Sequence, residues 1–207
     1  MKKVLSLVAA IMLLGTTAMA QATVGIGYLT PNHIATEDAL NGFYVGLDYN
    51  IQLAGNFGVA PGVYYSNSTK TSSNGVGSGL FSAKGDFKYK EQYISVPVNF
   101  NYRLPLADDF AIALYAGPTF SYGISSTLDS EGSLTIAGIQ LGADNRGNLY
   151  DNDNYKPFDV MLGGGVAFDY LNQLRLSLGY NYGMLDRDGS NFSFHRSYLH
   201  MGISYLF

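Results

Sequence analysis

The chain has 207 residues, of which 47% are apolar, 14% aromatic and only 14% charged, with 25 Gly, 17 Tyr, 12 Phe and neither Cys nor Trp. That composition excludes a disordered chain, which needs low hydrophobicity and high charge. It also excludes a disulfide-stapled domain and any thiolate metal site or thiol chemistry. Without Lys2 and Lys3 the charge balance is 10 basic against 16 acidic residues, so nothing electrostatic points to nucleic acid as a partner.

The first twenty residues read as an export signal. Lys2 and Lys3 make a positive start, Val4 to Leu14 is an uncharged apolar run, and Ala18-Met19-Ala20 is a small-x-small cleavage pattern. Residues 1–20 are therefore expected to be a signal peptide and 21–207 a single domain. The apolar run is shorter than the ~20 residues a spanning helix requires. No Cys follows it to carry a lipid anchor.

From there period-two alternation runs to the C-terminus. The apolar positions are Val24, Ile26, Tyr28; then Phe43, Val45, Leu47, Tyr49, Ile51; then Val59, Pro61, Val63, Tyr65. Ile94 to Tyr102 and Ile112 to Tyr122 continue the rhythm at even positions, followed by Val160 to Tyr170, Leu174 to Tyr182 and Leu199 to Phe207. This predicts an all-β fold of eight strands. Short polar turns are expected at Ala54-Gly55-Asn56, Ala107-Asp108-Asp109 and Asn172-Gln173. Long polar connections are expected over 30–41, 67–86, 123–156 and 184–196. Leu134 to Leu141 within the third of these would lengthen the flanking strands or form an added hairpin, which leaves a ten-strand count open. Short turns at one end and long connections at the other describe an eight-stranded antiparallel up-and-down transmembrane β-barrel.

Packing decides which face points out. The face opposite the bulky one carries Gly25, Gly27, Gly46, Gly62, Gly117, Gly163, Gly165, Gly179 and Gly202 and reads as non-aromatic. An eight-stranded barrel has room inside only for a filling of side chains, so the Val, Leu, Ile, Phe and Tyr face must look outward, which only lipid tolerates. A water-soluble, lipocalin-like barrel would need the reverse. The bulky face is uncharged in its middle, Lys88 and Lys90 lying beyond it on the long-connection side.

Several segments resemble a known family. Glu91-Gln-Tyr-Ile-Ser-Val-Pro-Val-Asn-Phe-Asn-Tyr102 is similar to the Tyr-x-x-x-Pro strand of the outer membrane protein β-barrel domain family, a porin-like group of small barrels common in Bacteroidetes. Ala116-Gly-Pro-Thr-Phe-Ser-Tyr122 resembles its Ala-Gly-Pro-aromatic strand, Gly179-Tyr-Asn-Tyr-Gly-Met-Leu-Asp186 its Tyr-Asn-x-Gly-Leu strand, and Ser204-Tyr-Leu-Phe207 its aromatic ending. The resemblance implies a bacterial outer-membrane address in a Gram-negative envelope. It also implies transient partnership with the barrel-assembly machinery and periplasmic chaperones. It names no activity.

Inward charges are the candidate functional residues: Arg103, Asp169, Arg175, Asp48 and Glu91, with Asp159 on the same face. Arg103, Asp169 and Arg175 each lie beside a short turn and should share one level. They would form either a gate on a polar path or a salt-bridged plug, and the plug is the expectation because an unpaired lumenal charge is costly. His200 and Ser204 share a face but lie ~13 Å apart at strand rise, so they cannot form a nucleophile–base pair, although Ser177 on a neighbouring strand could approach. The run Asp144 to Asn154 is rich in oxygen donors but lacks the spacing of a calcium loop. No enzymatic activity, metal or cofactor is expected. The expected partners are outer-membrane lipid and an extracellular ligand at the long connections.

Overall fold

The computed structural model describes residues 20–32, 39–78, 81–136, 139–148, 150, 155–187 and 194–207. The proposed signal, residues 1–19 of it, thus lies outside the described residues, as do 33–38 and 188–193 of two long connections. The described residues form β1 (Ala20–Pro31), β2 (Asn41–Ala54), β3 (Phe57–Ser78), β4 (Phe81–Ala107), β5 (Phe110–Ile136), β6 (Ile139–Asn148), β7 (Phe158–Tyr170), β8 (Leu174–Gly183) and β9 (Ser197–Leu206).

Eight of these strands close into a ring. Its order is β4-β3-β2-β1-β9-β8-β7-β5, and β4 pairs β5 to complete it. All neighbours are antiparallel, and the first and last strands meet at Thr23↔Leu206 through Pro31↔Tyr198. Closure leaves no unpaired strand edge within the ring, the condition for a sheet to sit in hydrocarbon. β6 stands outside the ring and pairs with the far half of β5, from Thr127↔Asn148 to Ile136↔Ile139.

Two expected loops are in fact strand. The segment 67–86 continues the β3–β4 ladder from Asn67↔Gln92 out to Ser78↔Phe81, and 123–136 continues β5. Of the alternatives for Leu134 to Leu141, both occur: β5 lengthens, and an added hairpin supplies β6. The alternation is polar on both faces here (Ser66-Asn-Ser-Thr-Lys-Thr-Ser-Ser73), so the apolar period that marks a half-buried strand is absent although the Ser- and Thr-rich backbone still pairs.

The burial pattern is inverted relative to a soluble domain. Buried positions are small or polar, among them Ala111, Ala113, Ala167, Thr23, Ser68, Thr119 and Ser121, while Phe100, Leu176 and Ile203 are 47, 58 and 48% exposed. The bulky face therefore lies outside and the glycines inside. The inward face is not free of aromatics, however, which corrects the sequence reading. Tyr44, Tyr64 and Tyr115 lie across glycines of neighbouring strands: a Cβ on Gly202 would fall 2.0 Å from the Tyr44 hydroxyl, and one on Gly165 would fall 2.5 Å from that of Tyr115. The glycines supply the space the tyrosines fill.

The turn between β7 and β8 is also one residue earlier than its composition suggests. Leu171 and Asn172 have φ of 53° and 54°, and the Gln173 amide donates to the Tyr170 carbonyl at 3.1 Å. The connection is three residues long, 171–173, since Tyr170 pairs with Leu174, and its turn has both central residues left-handed, the geometry that matches strand twist. Leu is poorly suited to that conformation, which costs an L-residue roughly 1–2 kcal/mol. Leu171→Asn is accordingly expected to raise the unfolding free energy by about 1 kcal/mol, read as a higher urea midpoint at unchanged slope.

Candidate functional site: the lumen and its charged clusters

The five inward charges do not form one cluster; they divide among three levels. At the short-turn end β4, β7 and β8 bring Arg103, Asp169 and Arg175 together, as their shared distance from a turn requires. Asp169 lies opposite Arg175 in the β7–β8 ladder. Arg175 donates from Nε to Asp169 Oδ1 at 2.6 Å and from Nη2 to Oδ2 at 2.9 Å. Arg103 Nε donates to Oδ2 at 2.9 Å, and its Nη2 reaches Asn172 Oδ1 in the turn below. The Asp169 side chain is fully buried, whereas that of Arg103 keeps 35% of its surface. One carboxylate thus holds two guanidiniums, with the bidentate geometry that makes Arg–carboxylate pairs strong.

At mid-height Asp48 accepts a hydrogen bond from Tyr64, while Asn101 donates to Asn50 at 2.9 Å. His200 sits among three tyrosines, its ring centroid 6.0 Å from that of Tyr44, 6.5 Å from Tyr115 and 5.8 Å from Tyr198. No hydrogen bond joins His200 to Ser177 or Ser204 among the described residues; Ser177 bonds to Tyr44 instead. A cavity of about 130 Å³ occupies this level, lined by Tyr44, Asp48, Tyr64, Tyr115, Arg175 and His200 among others.

Glu91 belongs to the opposite end. A bulge in the β4–β5 ladder sets Gln92↔Ser125 beside Tyr93↔Gly123, leaving Ile124 as an extra residue. An extra residue shifts the alternation by one, so odd positions point inward below Ile124 and Ser126 points inward above it. Glu91 Oε1 accepts from Tyr93 at 3.0 Å, Tyr155 at 3.1 Å and Ser126 at 3.3 Å. Arg196 Nε is 3.8 Å from Glu91 Oε2, and its guanidinium lies 3.9 Å from the centre of the Tyr93 ring. Arg187 donates to Tyr93 Oη at 2.6 Å, to Tyr150 Oη at 2.9 Å and to the Lys156 carbonyl at 3.0 Å. It also lies 4.6 Å from the Tyr155 ring centre. Asp159 is buried beneath this level, as its inward position required.

Burial, with the Glu91 carboxylate second, pushes the Tyr155 hydroxyl well up, so it stays protonated as a donor. Burial opposes the charge on Arg187, but the surrounding tyrosine oxygens and Glu91 outweigh it and raise its pKa. Sequence reasoning missed this whole assembly except Glu91. Arg187 and Arg196 stand in a segment without periodicity, and no local signal says that they turn inward. Arg187→Ala is expected to free the flanks of the β8–β9 connection, and limited proteolysis between residues 184 and 196 should accelerate by at least tenfold, about the loss of one charged hydrogen bond.

Among the described residues, no group of three or more His, Asp or Glu is placed to hold a metal ion. The run Asp144 to Asn154 lies largely outside the described side chains. At the short-turn mouth a second cavity of about 380 Å³ is lined by Gln21, Asn50, Gln52, Asn56, Asn101 and Arg103 among others.

Several solved barrels resemble this chain in outline. The Ail attachment invasion locus protein of Yersinia pestis is 14% identical, with 91% of this chain and 99% of that one covered and a TM-score of 0.44. Neisserial surface protein A is 12% identical, with 91% and 97% covered and a TM-score of 0.44. The outer membrane enzyme PagL is 9% identical, with 90% and 97% covered and a TM-score of 0.48. Likenesses this distant say nothing about activity, and no curated protein matches the chain. The model of the family described as outer membrane protein beta-barrel domain matches residues 17–188. With the bulky face outside, the ring closed and most of its length matched, this chain belongs to that family and is a β-barrel of the bacterial outer membrane.

Proposed function

We propose that this is a non-enzymatic outer-membrane barrel whose lumen is closed and whose projecting β3–β4 and β5–β6 hairpins carry surface recognition. In this reading residues 1–20 are removed on export, both termini face the periplasm, and the long connections lie outside. The observation that carries it is the pair of charged clusters. Arg103–Asp169–Arg175 ties β4, β7 and β8 together along one side of the bore at one end, Arg187, Arg196 and Glu91 pack among tyrosines at the other, and a cavity of only about 130 Å³ lies between them. At roughly 10–15 Å³ per water such a space takes on the order of ten waters, a small chamber rather than a wide conduit. Recognition then falls to the parts that project, as it does when a rigid scaffold carries variable loops. Assembly machinery and periplasmic chaperones are the transient partners, and an extracellular ligand is the lasting one.

A narrow channel for small polar solutes is the second reading, favoured by the wider cavity of about 380 Å³ at the short-turn mouth. Planar bilayer recording separates the two. The closed barrel gives no steady unitary current, and a sustained large conductance from the wild-type protein contradicts it.

A further inference from the structure

The described arginines of the barrel and its rim point inward; of the lysines near the long-connection rim, Lys88, Lys90 and Lys156 point outward and Lys70 inward. Arg103, Arg175, Arg187 and Arg196 are all committed to lumenal partners, whereas Lys88 and Lys156 are exposed and Lys90 half-exposed. This fits their chemistry, since the planar guanidinium suits buried, multiply bonded sites and the compact ammonium is strongly hydrated.

The lysines share one sector, beyond the girdle of outward aromatics that Phe43, Tyr122, Phe158 and Tyr182 form at the long-connection edge of the apolar wall. Phe158 and Ile94 lie level with Tyr122, Phe158 across the β5–β7 ladder and Ile94 across β4–β5. All three are outward and exposed, part of the long-connection aromatic girdle. Lys156 follows Phe158 by two residues outward and Lys90 follows Ile94 by four. With ~3.3 Å of rise per residue and a tilt of ~40°, the Lys90 backbone stands roughly 10 Å above the girdle, while Lys156 lies just past the bend at Pro157 that precedes β7. Lysine stems can bend back toward the interface from there. β4 and β7 flank β5, so the two residues are offset around the wall by about two strand spacings, roughly 10 Å.

No acid faces Lys90, which meets Thr69 and Thr127 across its ladders; Lys88 faces Asp129, which also faces Arg146 on β6, and Asp86 lies further out. Elsewhere around the rim, among the described residues, the outward positions just beyond the girdle carry no Lys or Arg: Thr30, Asn41, Asn67, Met184 and Ser197.

We propose that Lys90 and Lys156, with Lys88 above them, form a binding site on the barrel's outer wall for the phosphate headgroup of an anionic lipid. The inference rests on the membrane orientation of the barrel but not on the state of its lumen. Height selects the occupant, because a phosphate held by glycerol or sugar just above the acyl chains is the anion found at this level. Each lysine near an anionic surface contributes about 1 kcal/mol.

The test uses the full barrel refolded into phosphatidylcholine bilayers with a minor fraction of phosphatidylglycerol, with retained lipids counted by native mass spectrometry. Wild type should retain phosphatidylglycerol well beyond its share. The K90Q/K156Q double variant should lose that preference by about tenfold or more. The K70Q variant, which removes the same charge from the inner side of β3 at similar height, should keep it. Wild type without a preference, or K90Q/K156Q retaining it in full, overturns the site while leaving the barrel intact. A protein that fails to enter phosphatidylcholine bilayers, seen by the absence of heat-modifiable gel mobility, overturns both the site and the membrane orientation beneath it.

Discussion

Asp169→Ala is expected to cost about 3 kcal/mol in unfolding free energy, measured by urea titration of the barrel in lipid vesicles. The substitution removes the carboxylate that holds two guanidiniums together, Arg103 from β4 and Arg175 from β8, at 2.9 and 2.6 Å. Breaking a buried ion pair from one side costs roughly 3–5 kcal/mol, because the remaining charge stays desolvated. The lower end of that range applies, since Arg103 keeps a third of its side-chain surface in water. A second substitution separates loss of attraction from residual repulsion. Arg103→Ala placed on top of Asp169→Ala should recover part of the loss, so the two changes should be strongly non-additive. Additive costs would mean that the three side chains act independently and that this end of the bore is not tied together by a shared carboxylate.

The second large effect lies on the outer wall. Leu178 sits midway along β8, paired with Val166 and Met201, and is 45% exposed. Leu178→Arg places a guanidinium near the bilayer midplane, at a cost of roughly 2–4 kcal/mol. On a water-soluble barrel the same change at a half-exposed position would be within about 0.5 kcal/mol of neutral. Vesicle-based urea titration therefore reads the surroundings of the wall as well as its stability. Lys at the height of Lys90 is tolerated because the wall has already left hydrocarbon there.

The ring and its orientation were legible because hydrocarbon forces a period. Wherever both faces of a strand differ, as along Ile94 to Tyr102 or Leu174 to Tyr182, the pattern shows directly which residues face lipid. The Arg103–Asp169–Arg175 cluster was legible for the same reason, since the three residues stand at fixed offsets from short turns. Legibility ended where the wall leaves the bilayer. Residues 67–86 alternate polar with polar, so a continuous ladder reads as a loop. Ile124 shifts the alternation of β5 without changing its composition, so Ser126 turned inward unannounced. Arg187 and Arg196 reach their tyrosines through connections that carry no period at all. The inward tyrosines were missed because Tyr44, Tyr64 and Tyr115 fall on a face whose glycines made it read as non-aromatic, and those same glycines leave the room the rings fill. Leu171 concealed its turn because a large apolar residue seldom adopts a left-handed backbone.

The absence of Cys allows the central claim, that lipid meets the bulky face and the glycine–tyrosine face lines the bore, to be measured by single-cysteine labelling. A fluorophore placed in turn at Phe100, Leu176, Leu178 and Ile203, and then at Asn99, Ser177, Gly179 and Gly202, would be titrated with quencher attached to lipid acyl chains. The first set should be strongly quenched and the second protected or unlabelled, alternating residue by residue along each strand. Equal quenching of both sets, or quenching of Ser177 and Gly202 with protection of Leu176 and Ile203, would contradict it.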